Sequence, residues 1–412
     1  MRFLFVHQNF PGQFRHLAPA LKRRGHDVHA TVMRPEPMTQ FDGVPVHRYR
    51  PGRGSTAGIH PWVSDLETKT IRAEAAFHHA LALKAQGISP DAIVAHPGWG
   101  ESLFLKDVWP HAKLGIYCEF YYRAVGIDTD FDPEFAADDP AQACRLRMKN
   151  LNNDMHFAAA DAGLSPTHWQ ASTFPDAFRP RIAVAHDGID TDKLQRDPSV
   201  SLELTTHAGK LALTRADEIV TYVARDLEPY RGWHVFARSL GHLLALRPQA
   251  RVLVVGGDGI SYGAPRADGR SWKDALIGEV RPSIAEADWA RVHFLGRVSY
   301  ENFVRVLSLS KAHVYLTYPF VLSWSLLEAM SMGCAIVASD TAPLREAVRT
   351  GETGLLVDFF DAKNLAETVA DLLARPDLQA SLGAAARAHA IANYDLERIC
   401  LPRQIAWAEG LV

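Results

Sequence analysis

Cysteine is scarce in this chain, with four in 412 residues: Cys118, Cys144, Cys334 and Cys400. They stand far apart and fit neither a disulfide framework nor a CxxC metal pattern, which points to a reducing compartment. Long apolar runs are missing as well. The opening segment has an apolar run of only four residues, Phe3 to Val6, before His7 and Gln8. That is too short for the apolar region of a signal peptide, and no later stretch approaches the ~20 residues of a spanning helix. The sequence therefore reads as soluble and cytoplasmic. Charge of one sign is not in excess either, since the formal net charge is -3. Nucleic acid is accordingly not an expected partner.

What is present is an ordinary globular composition, 47% hydrophobic and 22% charged. The length suggests two domains of about 200 residues each. Short apolar runs alternate with helical stretches from the start. Strands are expected at Phe3–Val6, Asp27–Val32, Ala92–Ala95, Leu114–Cys118, Ala162–Leu164 and Ile182–Ala185. A helix is expected over Phe14–Arg24, stopped by Gly25. Such alternation implies βαβ units and a parallel sheet. The polar stretch Asp197–Thr214 reads as an irregular hinge. A second series follows, with strands at Ile219–Ala224, Val252–Val255, Val292–Leu295, Val314–Thr317, Ala335–Ala338 and Leu355–Val357. The expected division is an N-terminal domain over 1–195 and a C-terminal domain over 210–395. The last helix, about 396–412, is expected to pack back on the first domain.

Two segments carry chemistry. In Tyr222-Val-Ala-Arg-Asp-Leu-Glu-Pro-Tyr-Arg-Gly-Trp233, a strand ends at Arg225 and a loop delivers Arg231-Gly232 to a helix start. Two guanidinium groups so placed can converge on one diphosphate, because the planar fork binds phosphate oxygens in pairs. Two solvated surface arginines are the alternative. In Tyr318-Pro-Phe-Val-Leu-Ser-Trp-Ser-Leu-Leu-Glu328, a strand leads into a helix whose free N–H groups near Ser323 offer an anion site. Glu328 can accept bonds from sugar hydroxyls there, or it can close a capping box with Ser325.

The order of these signals resembles the retaining glycosyltransferases of the family 4 type. That family shows G-R-x-x-x-x-x-K-G, V-x-F-L-G, E-G-F-G-x-x-x-x-E-A-M, G-x-P-V-V-A and G-x-x-G-x-L-V in sequence. The chain has Ala224-Arg225 with Arg231-Gly232, Val292-His-Phe-Leu-Gly-Arg-Val298 and Leu327-Glu328-Ala-Met330. It continues with Gly333-Cys-Ala-Ile-Val-Ala338, Glu346 and Gly351-Glu-Thr-Gly-Leu-Leu-Val357, and earlier has Asp187-Gly-Ile-Asp190. The resemblance implies the α/β GT-B fold, two Rossmann-like doubly wound parallel-sheet domains facing across a cleft. It implies that Arg225 and Arg231 hold the donor's diphosphate and Glu328 its ribose. Leu322, Ser323 and Trp324 would supply backbone N–H groups, and Arg297 and Val298 would lie against the base. The donor would be a nucleoside-diphosphate sugar, UDP- or GDP-linked, and no cofactor or metal would be needed because fixed positive charge stabilises the leaving group.

The chain departs from the family at Phe320, where the first glutamate of the pair would stand, and sugar recognition must differ there. The first domain's histidine is replaced in position by Glu119. His96 and Glu119 each follow a strand's C-terminal end, where open α/β sheets bind ligands, and are expected to orient the acceptor. Gly12, in the first βα loop, would let a phosphate or sugar approach the backbone. The helix at 14–24, with Arg15, Lys22, Arg23 and Arg24 beside Phe14, Leu17 and Leu21, is a candidate for peripheral membrane contact. The acidic loop Gly126–Pro140, with Asp128, Asp130, Asp132, Glu134, Asp138 and Asp139, reads as solvated rather than metal-binding. The acceptor would be a glycan, a lipid-linked molecule or a small molecule, in polysaccharide or glycolipid assembly. Two other readings stand beside the transferase: a sugar-nucleotide 2-epimerase on the same fold, and a non-catalytic sugar-nucleotide or glycan-binding protein.

Overall fold

The computed structural model describes residues 1–34, 38–136, 139–206 and 209–412, so Asp138 of the acidic loop lies outside the described residues. The chain forms two compact units. One comprises Met1–Asp130, Ala136–Gly188 and Leu396–Val412; the other comprises Phe131–Phe135 and Ile189–Asp395.

The first unit holds β1 (Arg2–Val6), β2 (Asp27–Val32), β3 (Gln40–Phe41), β4 (Val44–Arg48), β5 (Ala92–Ala95), β6 (Lys113–Tyr117), β7 (Ala162–Ser165) and β8 (Ile182–Val184). They form one sheet in the order β3-β4-β2-β1-β5-β6-β7-β8, parallel except for the β3–β4 pair. The strands read as continuous apolar runs because both faces are covered. Phe3, Phe5, Ala92 and Val94 enter one core, while Leu4, Val6, Ile93 and Ala95 enter the other. The helix Leu401–Glu409 belongs to this unit. Leu401, Ala408 and Leu411 join Phe3 and Phe5 in the core, and Gln404 donates to the His186 carbonyl at 2.7 Å.

The second unit has β9 (Ser201–Thr206), β10 (Gly209–Thr214), β11 (Ile219–Asp226), β12 (Arg251–Gly257), β13 (Val292–Gly296), β14 (Ala312–Tyr315), β15 (Ile336–Ser339) and β16 (Leu355–Val357). Six of these form a parallel sheet in the order β13-β12-β11-β14-β15-β16. Counted within the unit, this is the 3-2-1-4-5-6 order of a Rossmann sheet, and its switch point lies between β11 and β14. The expected pair of doubly wound parallel sheets is thus found.

Three expectations are corrected. The stretch 197–214 is not an irregular hinge, because β9 and β10 pair antiparallel within it. Leu202, Leu204, Leu211 and Leu213 alternate at a period of two and pack on Ile219, Leu253 and Val255. The helical stretch at 14–24 is a 3₁₀ turn at Gly12–Phe14 followed by the seven-residue helix Leu17–Arg23. Its Phe14, Leu17 and Leu21 are buried in the first unit's core, so they form no apolar face for a membrane, and Arg24 pairs with Glu409 at 2.8 Å. Finally, the acidic loop is not simply solvated: Asp128 and Asp132 are buried. Among the described residues, no helix is long and apolar enough to cross a membrane.

Candidate functional site

At the switch point of the second unit, the loop after β11 and the loop after β14 meet. Arg231 sits on a 3₁₀ turn, Pro229–Arg231, and is only 6% exposed. One guanidinium nitrogen donates to the Tyr315 hydroxyl (3.2 Å), Thr317 Oγ1 (2.7 Å) and the Val321 carbonyl (3.2 Å), and the group lies over the Tyr262 ring. Gly232 makes this approach feasible. Its φ is +69°, and a Cβ there would lie 2.4 Å from Leu316 Cβ. The Ser323 amide donates to the same Tyr315 hydroxyl at 3.1 Å. A buried cation and a helix-start amide therefore aim at one oxygen. Among the described residues, no salt bridge involves Arg231. Its hydrogen-bond acceptors are neutral oxygens, with the Glu228 carboxylate as a charged neighbour, and a buried cation is costly unless anions complete its shell.

The other expected donor residues lie on the same rim or just beyond it. Arg225 is exposed at the end of β11. Arg297 is 67% exposed and bonds the buried Asp226 at 2.6 Å, beside Val298, which is partly buried. Ser323 is the N-cap of the helix Trp324–Ser331, accepting from Ser325 N at 3.3 Å; Leu322 is buried and Trp324 is exposed. Because the cap is Ser323, Ser325 and Glu328 do not form a capping box. Glu328 instead accepts from the Tyr300 hydroxyl at 2.8 Å. Phe320 is buried, with its ring against Tyr230 and Tyr262 at 5.6 and 5.1 Å between centroids. Tyr262 belongs to the segment between β12 and the helix Trp272–Val280. Glu228, with no exposed surface, accepts the amides of Ser261, Tyr262 and Gly263 at 3.0–3.1 Å and so fixes that loop. Burial raises the Glu228 pKa, its largest cause, against the pull of those amides.

In the first unit the switch point lies between β1 and β5, and His7 and His96 follow those strands. Their rings stand 5.3 Å apart. His7 Nδ1 accepts from Asn9 N (2.9 Å), which leaves the proton on Nε2 for Gln13 Oε1 (2.7 Å). Burial, then the neighbouring His96, pushes the His7 pKa down to about 3. Gly12 makes room for this ring: a Cβ at φ +46° would lie 2.3 Å from His7 Nε2. His96 Nδ1 likewise accepts from Gly98 N at 3.1 Å, so its proton sits on Nε2, 3.5 Å from Glu119. That separation is too long for a good hydrogen bond.

His96 and Glu119 line a cavity of about 280 Å³. Its other walls come from residues that the motifs did not mark. Asp65, Lys69 and Arg72 stand on one face of the helix Pro61–Ala85, and Lys149, Asn152 and Asn153 on one face of the helix Gln142–Ala159. The run Lys149-Asn-Leu-Asn-Asn153 was the available signal, since asparagine is a poor helix former and its repeated use there asks for a reason.

One further cluster has metal-capable side chains, Asp132, Glu134 and His234 in the second unit. These groups are already engaged. Asp132 accepts from Tyr318 (2.6 Å) and pairs with His234 (3.0 Å), while Glu134 binds Arg238 through both oxygens. These partners, from the fold itself, account for the burial of Asp132.

Two Rossmann-ordered sheets, the second with a cation and a helix start at its switch point, define the GT-B class. Residues 24–194 match the glycosyl transferase family 4 group and residues 205–389 match the glycosyl transferases group 1, and the chain belongs to this family. D-inositol 3-phosphate glycosyltransferase of Rhodococcus jostii (strain RHA1) is 34% identical over 184 residues, 44% of this chain and 38% of that protein. The protein of the same name from Streptomyces scabiei (strain 87.22) is 29% identical over 236 residues, 56% of this chain and 48% of its own length. The chain thus spans about half the length, or less, of the curated relatives it matches. Among solved structures, sucrose-phosphate synthase from Thermosynechococcus elongatus aligns with a TM-score of 0.71 at 19% identity, over 99% of this chain and 98% of that one. Anabaena HepE in complex with UDP and glucose aligns with a TM-score of 0.67 at 16% identity, over 100% and 99%. At these identities the likeness is one of fold.

Proposed function

We propose that the protein is a retaining glycosyltransferase that moves a sugar from a nucleoside-diphosphate sugar to a hydroxyl acceptor without a metal. The observation that carries this is Arg231, a buried cation whose hydrogen-bond acceptors are all neutral and whose donors converge with the Ser323 amide at a switch point. The donor diphosphate completes that shell, joined by Arg225 from the rim. Glu328 holds the ribose once Tyr300 yields it, and Val298 and Arg297 border the base. As the glycosidic bond breaks, charge grows on the diphosphate, and fixed cations in a dry site stabilise it without reorganising. The acceptor hydroxyl enters from the same face and passes its proton to the leaving phosphate. Family membership and the UDP-bound fold neighbour favour a UDP-sugar. The free cysteines support a cytoplasmic setting.

A second reading, a sugar-nucleotide-binding protein without transfer, is favoured by one observation. Phe320, Tyr230 and Tyr262 place aromatic rings where the family has a sugar-binding carboxylate. A thermal-shift panel of UDP-, GDP-, ADP- and dTDP-sugars separates the outcomes, since a ligand of the folded state raises Tm. One nucleotide series should stabilise the wild type, and Arg231→Ala and Arg225→Ala should each lose most of that shift. No shift with any donor, in folded protein, would overturn the transferase reading. A shift with no donor turnover during screening would favour the binding protein.

A further inference from the structure

Several features of the first-unit cavity stay unexplained by donor binding. Two polar atoms on its walls, His96 Nε2 and Asn152 Oδ1, are buried and make no hydrogen bond within the protein. Their assignments are fixed from the other side. The Gly98 amide occupies His96 Nδ1, so Nε2 is a donor, and Asn152 Nδ2 donates to the Pro97 carbonyl at 2.8 Å, so Oδ1 is an acceptor. A buried donor and a buried acceptor lining one small polar cavity are matched by a hydroxyl-rich ligand, because hydroxyl groups both give and take.

The charges on the same walls are unequal. Lys69, Arg72 and Lys149 face Asp65 and Glu119. Lys69 pairs with Asp65 at 2.7 Å, and Asp65 also acts at longer range on Lys149. Arg72 spends a guanidinium N–H on the neutral amide of Gln8 (2.5 Å), and Lys149 Nζ lies 3.7 Å from the centre of the Tyr122 ring. Burial, its largest cause, holds the Lys149 pKa below the usual lysine value. Three cations drawn from two helices suit a phosphate, whose three terminal oxygens can each take a charge-assisted bond.

We propose that this cavity is the acceptor subsite and that its acceptor is a polyhydroxylated molecule carrying a phosphate. Lys69, Arg72 and Lys149 hold the phosphate, and His96 and Asn152 hold hydroxyls. The inference rests on the transferase reading above and names its acceptor class. A volume of about 280 Å³ lies at the small end of ligand sites, room for a sugar phosphate or a lipid headgroup but not for a lipid body.

Calorimetric titration tests it with glucose 6-phosphate and inositol 1-phosphate, their unphosphorylated counterparts, and phosphatidylcholine vesicles containing phosphatidylinositol. UDP is titrated into each preparation as an independent reading of the second unit. At least one phosphorylated probe should bind ~10-fold or more tightly than its unphosphorylated counterpart. Lys149→Met should abolish that preference and Lys149→Arg should retain it, which guards against a variant that merely unfolds. Binding confined to the vesicles assigns the phosphate to a lipid headgroup and still supports the proposal. If UDP binds while phosphorylated and plain probes bind equally or not at all, the acceptor proposal falls and the transferase reading stands. If sugar phosphate binds and UDP does not, the cavity assignment survives and the donor reading fails.

Discussion

Burial sets the behaviour of single residues here more than sequence neighbours do. Glu101, two residues beyond the loop Pro97–Trp99, is fully buried, and neither carboxylate oxygen meets a donor on another residue. Burial pushes its pKa up to about 7 from 4.5. Below about pH 4.5 the group is protonated in both folded and unfolded chains and adds no pH-dependent cost. Between there and about pH 7 the unfolded chain releases the proton while the folded chain keeps it, so stability falls as pH rises. The lost stability reaches roughly 3 kcal/mol and is complete above pH 7. Glu101→Gln removes this dependence. Its Tm relative to wild type should climb steadily between pH 5 and pH 7.5, and a difference that stays constant across that range would refute the assignment. Sequence reading passed over Glu101, because nothing local to Gly-Glu-Ser distinguishes a solvated carboxylate from a buried one.

At the scale of elements, the insertion after β12 is held by two side chains, Glu228 and Asp226. Glu228 accepts three successive amides, Ser261 to Gly263, and Asp226 adds the Gly259 amide and the Ser261 hydroxyl. Glu228→Ala should free those amides while leaving the sheet intact. Each lost bond to a charged group is worth about 1.5–3 kcal/mol. Hydrogen exchange at residues 261–263 should therefore accelerate ~10- to 100-fold with little change in β11 and β12. Unchanged protection in the loop would show that Tyr262 is placed by ring contacts alone. The strands themselves were readable, since runs such as Val252–Val255 and Ile336–Ala338 are apolar on both faces. The hairpin at β9–β10 was not, because the polar residues between its alternating leucines made the stretch read as an irregular hinge. The helices Pro61–Ala85 and Gln142–Ala159 were not, because polar residues on each line a cavity beside the part that packs on the core through Ala80, Leu83 and Phe157.

For the whole molecule, membership of the two units does not follow the order of residues. The C-terminal residues 396–412 belong to the first unit, whose core receives Leu396, Leu401, Ala408 and Leu411. Each buried leucine contributes about 1.5–3 kcal/mol, and three of them rival the ~5–15 kcal/mol of a whole domain. A chain ending at Asp395 should thus lose the first unit selectively. Limited proteolysis should leave a resistant fragment near 189–395 and digest residues 1–130. Two resistant units in the truncated chain would contradict this.

The sequence by itself determined the two parallel sheets, the family, and the order of motifs that brings Arg231, Ser323 and Glu328 into one unit. Those signals are local: an apolar strand, a glycine such as Gly232 at positive φ, and a capping serine carry their meaning wherever the chain goes. Only the tertiary structure decided which of the charged residues are buried and which share a cavity. Arg231 is buried while Arg225 is exposed, Gly12 makes room for His7, Asp132 is spent on His234 and Tyr318, and Lys69, Arg72 and Lys149 share a cavity with His96. Burial and cross-chain proximity are sums over residues far apart in sequence, and no single stretch of the chain records them.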